Sequence, residues 1–118
     1  MSNLISGNFP VKTYRNLDLS ITGQIIKAAK GQVFDLHIAN QAATARYVKL
    51  YDKATAPTSS DTPLRTYAIP ALTTVALAVT TAGIEFASGI SIRGTTGIAD
   101  NNNTAPTAND IVVNIGWM

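Results

Sequence analysis

Apolar and polar residues alternate along most of this chain, and the period is two. Residues 32–40 put Val33, Asp35, His37 and Ala39 on one face and Phe34, Leu36 and Ile38 on the other. Residues 45–52 set Val48 and Leu50 against Tyr47, Lys49 and Tyr51. Residues 73–80 set Val75, Leu77 and Val79 against Ala76, Ala78 and Thr80. Residues 89–95 point Ile90 and Ile92 inward and Ser91 and Arg93 outward, and residues 110–118 align Ile111, Val113, Ile115 and Trp117. Strict alternation of this kind marks half-buried strands. Pro63 and Pro70 bracket a shorter strand at 64–69. Weaker strands are expected at 17–21, 24–29 and 84–87. Ala71–Ala82 is the one helix candidate, but its Thr and Val content and its alternation favour strand.

About eight short strands separated by turns predict an all-β, antiparallel β-sandwich, jelly-roll-like in form. Gly7, Asn8 and Pro10 break the pattern near the start. Residues 1–16 are therefore read as an extended N-terminal arm, and 17–118 as the β-sandwich domain. The segment Thr55-Ala56-Pro57-Thr58-Ser59-Ser60-Asp61 is echoed by Thr104-Ala105-Pro106-Thr107-Ala108-Asn109-Asp110. Proline fixes φ, and the hydroxyl, amide and carboxylate side chains can bond nearby backbone, so both copies read as turns.

Composition narrows the chemistry. With 118 residues, 46% hydrophobic and 14% charged, the chain can build one packed core. The core pieces are small: Ala and Thr far outnumber Phe and Trp, which suits packed sheets better than a deep ligand cavity. The absence of cysteine removes disulfides, thiolate metal sites and thiol nucleophiles. The net charge is +2, and the nine Lys and Arg are scattered from Lys12 to Arg93 without a run. Nucleic-acid binding needs clustered cations, so no nucleic-acid partner is expected. No segment reaches the ~18 apolar residues of a membrane span, and Met1–Ser6 lacks the layout of a signal peptide.

Three places hold raw material for chemistry. Asp35 and His37 share a strand face, and with Ser91 they would supply the side chains of a hydrolase. No nucleophile-elbow glycine pattern surrounds a serine, so a polar sheet face is the expectation, with no catalytic residue and no cofactor. Asp100-Asn101-Asn102-Asn103 is rich in oxygen, as Ca²⁺ requires, but it has a single carboxylate and no EF-hand spacing. It is read as an Asx-rich turn without metal. Gly94-Thr95-Thr96-Gly97 lacks the lysine and helix of a phosphate cradle and is also read as a turn.

Several blocks resemble a recurrent module of tailed bacteriophages. They are Ala45–Thr58 with Asp61-Thr62-Pro63, Gly83–Ile90, Thr95–Asp100 and Asn109–Asn114, together with Asn16–Leu19, Gly23 and Ile26-Lys27. The resemblance implies a non-enzymatic virion structural protein: a capsid decoration (cement) protein, a head fibre or a tail-associated piece. It also implies a homo-oligomer, a trimer by preference, made in the host cytoplasm and located in the virion. The implied partner is the major capsid protein or another virion protein. Phe9, Val11, Tyr14, Arg15 and Trp117 are the expected assembly contacts. The alternative is a tail-fibre or receptor-binding module that holds a bacterial surface glycan on Tyr47, Tyr51 and Tyr67.

Overall fold

The computed structural model describes residues 10–79 and 81–118. Nine strands appear among them: β1 (Lys12–Asn16), β2 (Gln24–Lys27), β3 (Gly31–Asn40), β4 (Arg46–Asp52), β5 (Arg65–Ile69), β6 (Thr73–Ala78), β7 (Ile84–Phe86), β8 (Ile90–Thr95) and β9 (Ile111–Trp117). All pairing is antiparallel, in two sheets. Sheet I runs β1-β9-β3-β6, with β7 continuing the β6 edge along β3, and sheet II runs β2-β8-β4-β5. The pairs β1·β9, β2·β8, β3·β6 and β4·β5 are the rungs of one long ribbon that folds back between β4 and β5. The contacts β3·β9 and β4·β8 then roll that ribbon into two layers. The result is an all-β sandwich with a jelly-roll-like winding.

The core lies between the layers. Leu36 and Ile38 of β3 and Ile111, Val113 and Ile115 of β9 face Val48 and Leu50 of β4, Ile69 of β5 and Ile90 and Ile92 of β8. Each is at most 2% exposed, so each contributes about 1.5–3 kcal/mol of apolar burial. Gly94 of β8 faces inward, where a Cβ would stand 3.0 Å from Ile111 Cδ1.

Several expectations are corrected. The alternation expected at 32–40 breaks at a bulge in β3. Val33 pairs with Trp117 but Asp35 with Gly116, so one extra residue, Phe34, enters the β3 side. Val33 thereby joins Leu36 and Ile38 in the core rather than the outer row of Asp35 and His37. No strand forms at 17–21. Leu19 is nonetheless fully buried there, and its N–H donates to the Ile111 carbonyl. The last part of the expected arm, Lys12–Asn16, is an edge strand hydrogen-bonded to β9. Tyr14, paired with Ile115, has an apolar body to bury and draws the segment onto the core.

One polar side chain organises an end of the sandwich. Asn40 is 2% exposed and closes β3. Its Nδ2 donates toward the carbonyls of Thr44, Ile69 and Pro70, at 3.0–3.1 Å, and its Oδ1 accepts the Ala42 N–H. The β3–β4 and β5–β6 turns are thus tied to one amide. At the other end, β6 stops at Ala78 and β7 takes up the same side of β3 from Ile84. Gly83 re-enters the ladder with φ +77°, in the left-handed region.

Candidate interaction surface

The outer faces of the two sheets are treated differently. On sheet II, Lys49, Tyr51, Ser91, Arg93 and Thr95 point away from the core, yet each is at most 1% exposed. Loops cover them. The Lys49 ammonium donates to the Ala99 carbonyl. Arg93 donates from Nε to the Ile21 carbonyl (3.0 Å), from one terminal nitrogen to the Tyr51 hydroxyl (3.2 Å) and from the other to Asn103 Oδ1 (2.9 Å). Burial pushes the Lys49 ammonium below its ordinary pKa, and the neighbouring Arg93 charge pushes the same way. Burial raises the Tyr51 hydroxyl, while its hydrogen bond with Arg93 pulls it back.

The echoed segments lie in these covering loops and fold alike. In each, the Asp carboxylate accepts the N–H of the Thr three residues earlier, and the Asp N–H donates back to that Thr carbonyl. Each carboxylate also holds a base: Lys53 on Asp61 at 2.7 Å, and Arg46 on Asp110 at 2.9 Å. The echo is one turn design used twice, pinned each time to a basic residue in or next to β4. A third carboxylate, Asp52, accepts the N–H groups of Ala87, Ser88 and Gly89 and clamps the turn before β8. Those bonds, Ser88 first, hold Asp52 below the usual carboxylate range.

The outer face of sheet I carries no such cover among the described residues. Register places three rows across it: Thr13, Gly116, Asp35 and Ala78; Arg15, Asn114, His37 and Ala76; and Val112, Ala39 and Thr74. Apart from Arg15 and His37, the side chains in these rows are short. Asp35, His37, Ala76 and Ala78 are exposed, and a shallow groove of about 310 Å³ runs between β3 and β6 beside them.

The sequence candidates distribute unevenly over this geometry. Asp35 and His37 share the open face, as the alternation implies. Ser91 belongs to the other sheet, buried, with its hydroxyl donating to the Tyr51 carbonyl. The three therefore do not converge. In the Asp100–Asn103 loop, Asn102 Oδ1 accepts the Gly97 and Thr104 N–H groups, and Asn103 Oδ1 accepts from Arg93. These oxygens fold the loop. The three tyrosines form no common platform: Tyr51 is buried under the loops, Tyr67 packs against the core, and Tyr47 stands partly exposed on the outer side of β4.

Of the expected assembly residues, Phe9 lies outside the described residues. Val11 is 44% exposed and lies over Gly116 on the open side, next to the row that holds Arg15. Tyr14 faces the sandwich interior, and its hydroxyl accepts from Asn16. Trp117 also packs on the core, flanked by the Lys12 and Lys27 ammoniums at 5.6 and 5.9 Å from its ring centre. Its indole nitrogen is buried with no acceptor among the described residues. Of the four described, Val11 and Arg15 join the open face, while Tyr14 and Trp117 help close the sandwich. Beyond Asp35 and His37, sequence reasoning missed the other residues of that face, because Ala, Thr and Gly carry no chemical signal individually.

No protein family, curated protein or solved structure matches the chain.

Proposed function

We propose that this chain is a structural protein of a tailed-phage particle, most specifically a decoration protein that binds the head and stabilises it by adhesion. The observation that carries the reading is the unequal treatment of the two sheets. Sheet II spends two long loops on covering its outer face. Sheet I presents an open face of mostly small side chains around Asp35 and His37, edged by Val11 and Arg15. The residue blocks that resemble a tailed-phage module support the same reading. Such a face favours a protein partner, because small side chains let two surfaces approach closely over a wide area.

The mechanism is mass action. A protein that binds the assembled shell and not its parts stabilises the shell by its binding free energy. If three copies act as one trimer, weak contacts are multiplied through effective concentration. No bond is made or broken.

The test is incorporation into particles. Ala76→Arg places a long cation on the β6 side of the open face, beside His37. It is expected to lower particle occupancy about tenfold, which corresponds to about 1.4 kcal/mol. Ala56→Arg, on the covering loop, is expected to leave occupancy unchanged. Equal occupancy of both variants with the parent protein refutes the assignment of the face.

A further inference from the structure

Lys49 and Arg93 are cross-strand neighbours, and both are buried to within 1%. Buried charges normally sit against opposite charges. These two do not. Among the described residues the ion pairs are Arg46–Asp110 and Lys53–Asp61, and the two buried cations are held by neutral acceptors alone. Two positive charges therefore share one face under the loops without a bonded counter-anion. Asp100 and Asp61 act on this cluster only through space.

Arg93 also forms part of the floor of a groove of about 420 Å³. Thr22, Gly23, Pro57, Thr58, Ser59 and Asn103 are among its other lining residues. A guanidinium has five N–H donors. The three bonds described above engage one on each nitrogen, which leaves a second N–H on each terminal nitrogen. Thr22 and Ser59, which also line the groove, carry hydroxyls. The nearest carboxylate on the loop, Asp61, is turned to the Lys53 ammonium and the Thr58 N–H, so its charge is already balanced.

We propose that this groove is a subsite for one oxyanion, a phosphate, sulfate or carboxylate group, seated against the Arg93 guanidinium, with Thr22 and Ser59 among the residues around it. The anion would supply the charge that the fold omits. At 1% exposure the guanidinium meets the groove over a small area, so a single anion oxygen on one terminal N–H is the contact expected. The proposal is independent of the virion reading: a structural protein can take such a group from solution or from an acidic sugar on a surface.

Inorganic phosphate is the probe. The full chain is titrated at constant ionic strength, with chloride as the control, and the Arg93 Nε–H resonance and the Thr22, Gly23 and Ser59 amides are followed by NMR. A saturable shift with a dissociation constant on the order of 1 mM is expected. Ser59→Asp puts a carboxylate on a residue that lines the groove; it is expected to weaken phosphate binding about tenfold or more and to raise Tm. Parallel titrations with glucuronate and glucose 6-phosphate separate the sources: tighter binding than free phosphate assigns a sugar-borne anion, and equal or weaker binding assigns a free one. An Arg93 resonance that does not move, a shift that chloride reproduces, or an unchanged response in a folded Ser59→Asp chain overturns the proposal.

Discussion

Removing the Arg93 side-chain donors tests the covered face of sheet II directly. Arg93→Met keeps the stem and deletes the three bonds to the Ile21 carbonyl, the Tyr51 hydroxyl and Asn103 Oδ1. A hydrogen bond from a charged donor is worth about 1.5–3 kcal/mol, so the gross loss is about 4.5–9 kcal/mol. Relief from keeping a cation out of water returns several kcal/mol of that. The net destabilisation is about 3 kcal/mol, a large share of the roughly 5–15 kcal/mol that holds a domain folded. With an unfolding entropy of about 2.1 cal/mol/K per residue over 118 residues, this lowers Tm by about 12 °C. Calorimetry reads the shift. Amide hydrogen exchange locates it, because Asn103 and Ile21 belong to two different loops, and both should lose protection while the β3 and β9 core amides keep theirs. Arg93→Lys should resemble Met rather than the parent, since an ammonium cannot reach three divergent acceptors. A Tm within about 2 °C of the parent for Arg93→Met, with loop exchange unchanged, refutes the idea that this guanidinium fastens the cover.

Three further outcomes follow from named contacts. The Asp52 and Asp61 carboxyls have folded pKa values below their unfolded ones, through the Ser88 N–H first for Asp52 and the Lys53 ammonium first for Asp61. Their contribution is therefore present above the unfolded value of about 3.9 and is lost as pH falls through the folded values; the acid limb of a Tm–pH curve should flatten in Asp52→Asn. Asn40→Asp replaces the Nδ2 donor that faces three carbonyls with a carboxylate and should cost about 3 kcal/mol at neutral pH. Denaturant melts should show partial recovery in acid, where the protonated carboxyl can donate. Gly83→Ala forces a side chain into φ +77° with its Cβ 3.0 Å from the Val33 carbonyl, and should lower stability by about 1–2 kcal/mol in the same melts.

The strands were legible because a sheet with one buried face writes its period into the sequence. Ile111, Val113 and Ile115, or Val48 and Leu50, need no tertiary information to be placed. Legibility ended where distant segments meet. Lys49 and Arg93 alternate with core residues and read as outward and solvated. They are outward, but their burial depends on loops far along the chain that fold back over them. The β3 bulge at Phe34 moves Val33 into the core, and nothing in Gln32-Val33-Phe34-Asp35 signals the extra residue. β1 was hidden by the polar and basic residues around Tyr14, because an edge strand paired on one side needs only one apolar anchor. The echoed turns were visible as loop chemistry, but their partners Lys53 and Arg46 were not. The open face was the least legible feature. It is built mostly of small residues spread over four strands, and only the register brings Arg15, Asn114, His37 and Ala76 into one row.

The central claim is that the open face of sheet I is the contact surface and the loop-covered face of sheet II is not. The chain has no cysteine, so single cysteines report without background. Ala76→Cys and Ala56→Cys are labelled with a maleimide in the free protein and in intact particles. The account predicts that both label readily when free and that only Ala76→Cys becomes protected on assembly. Protection of Ala56→Cys with Ala76→Cys still open would contradict it.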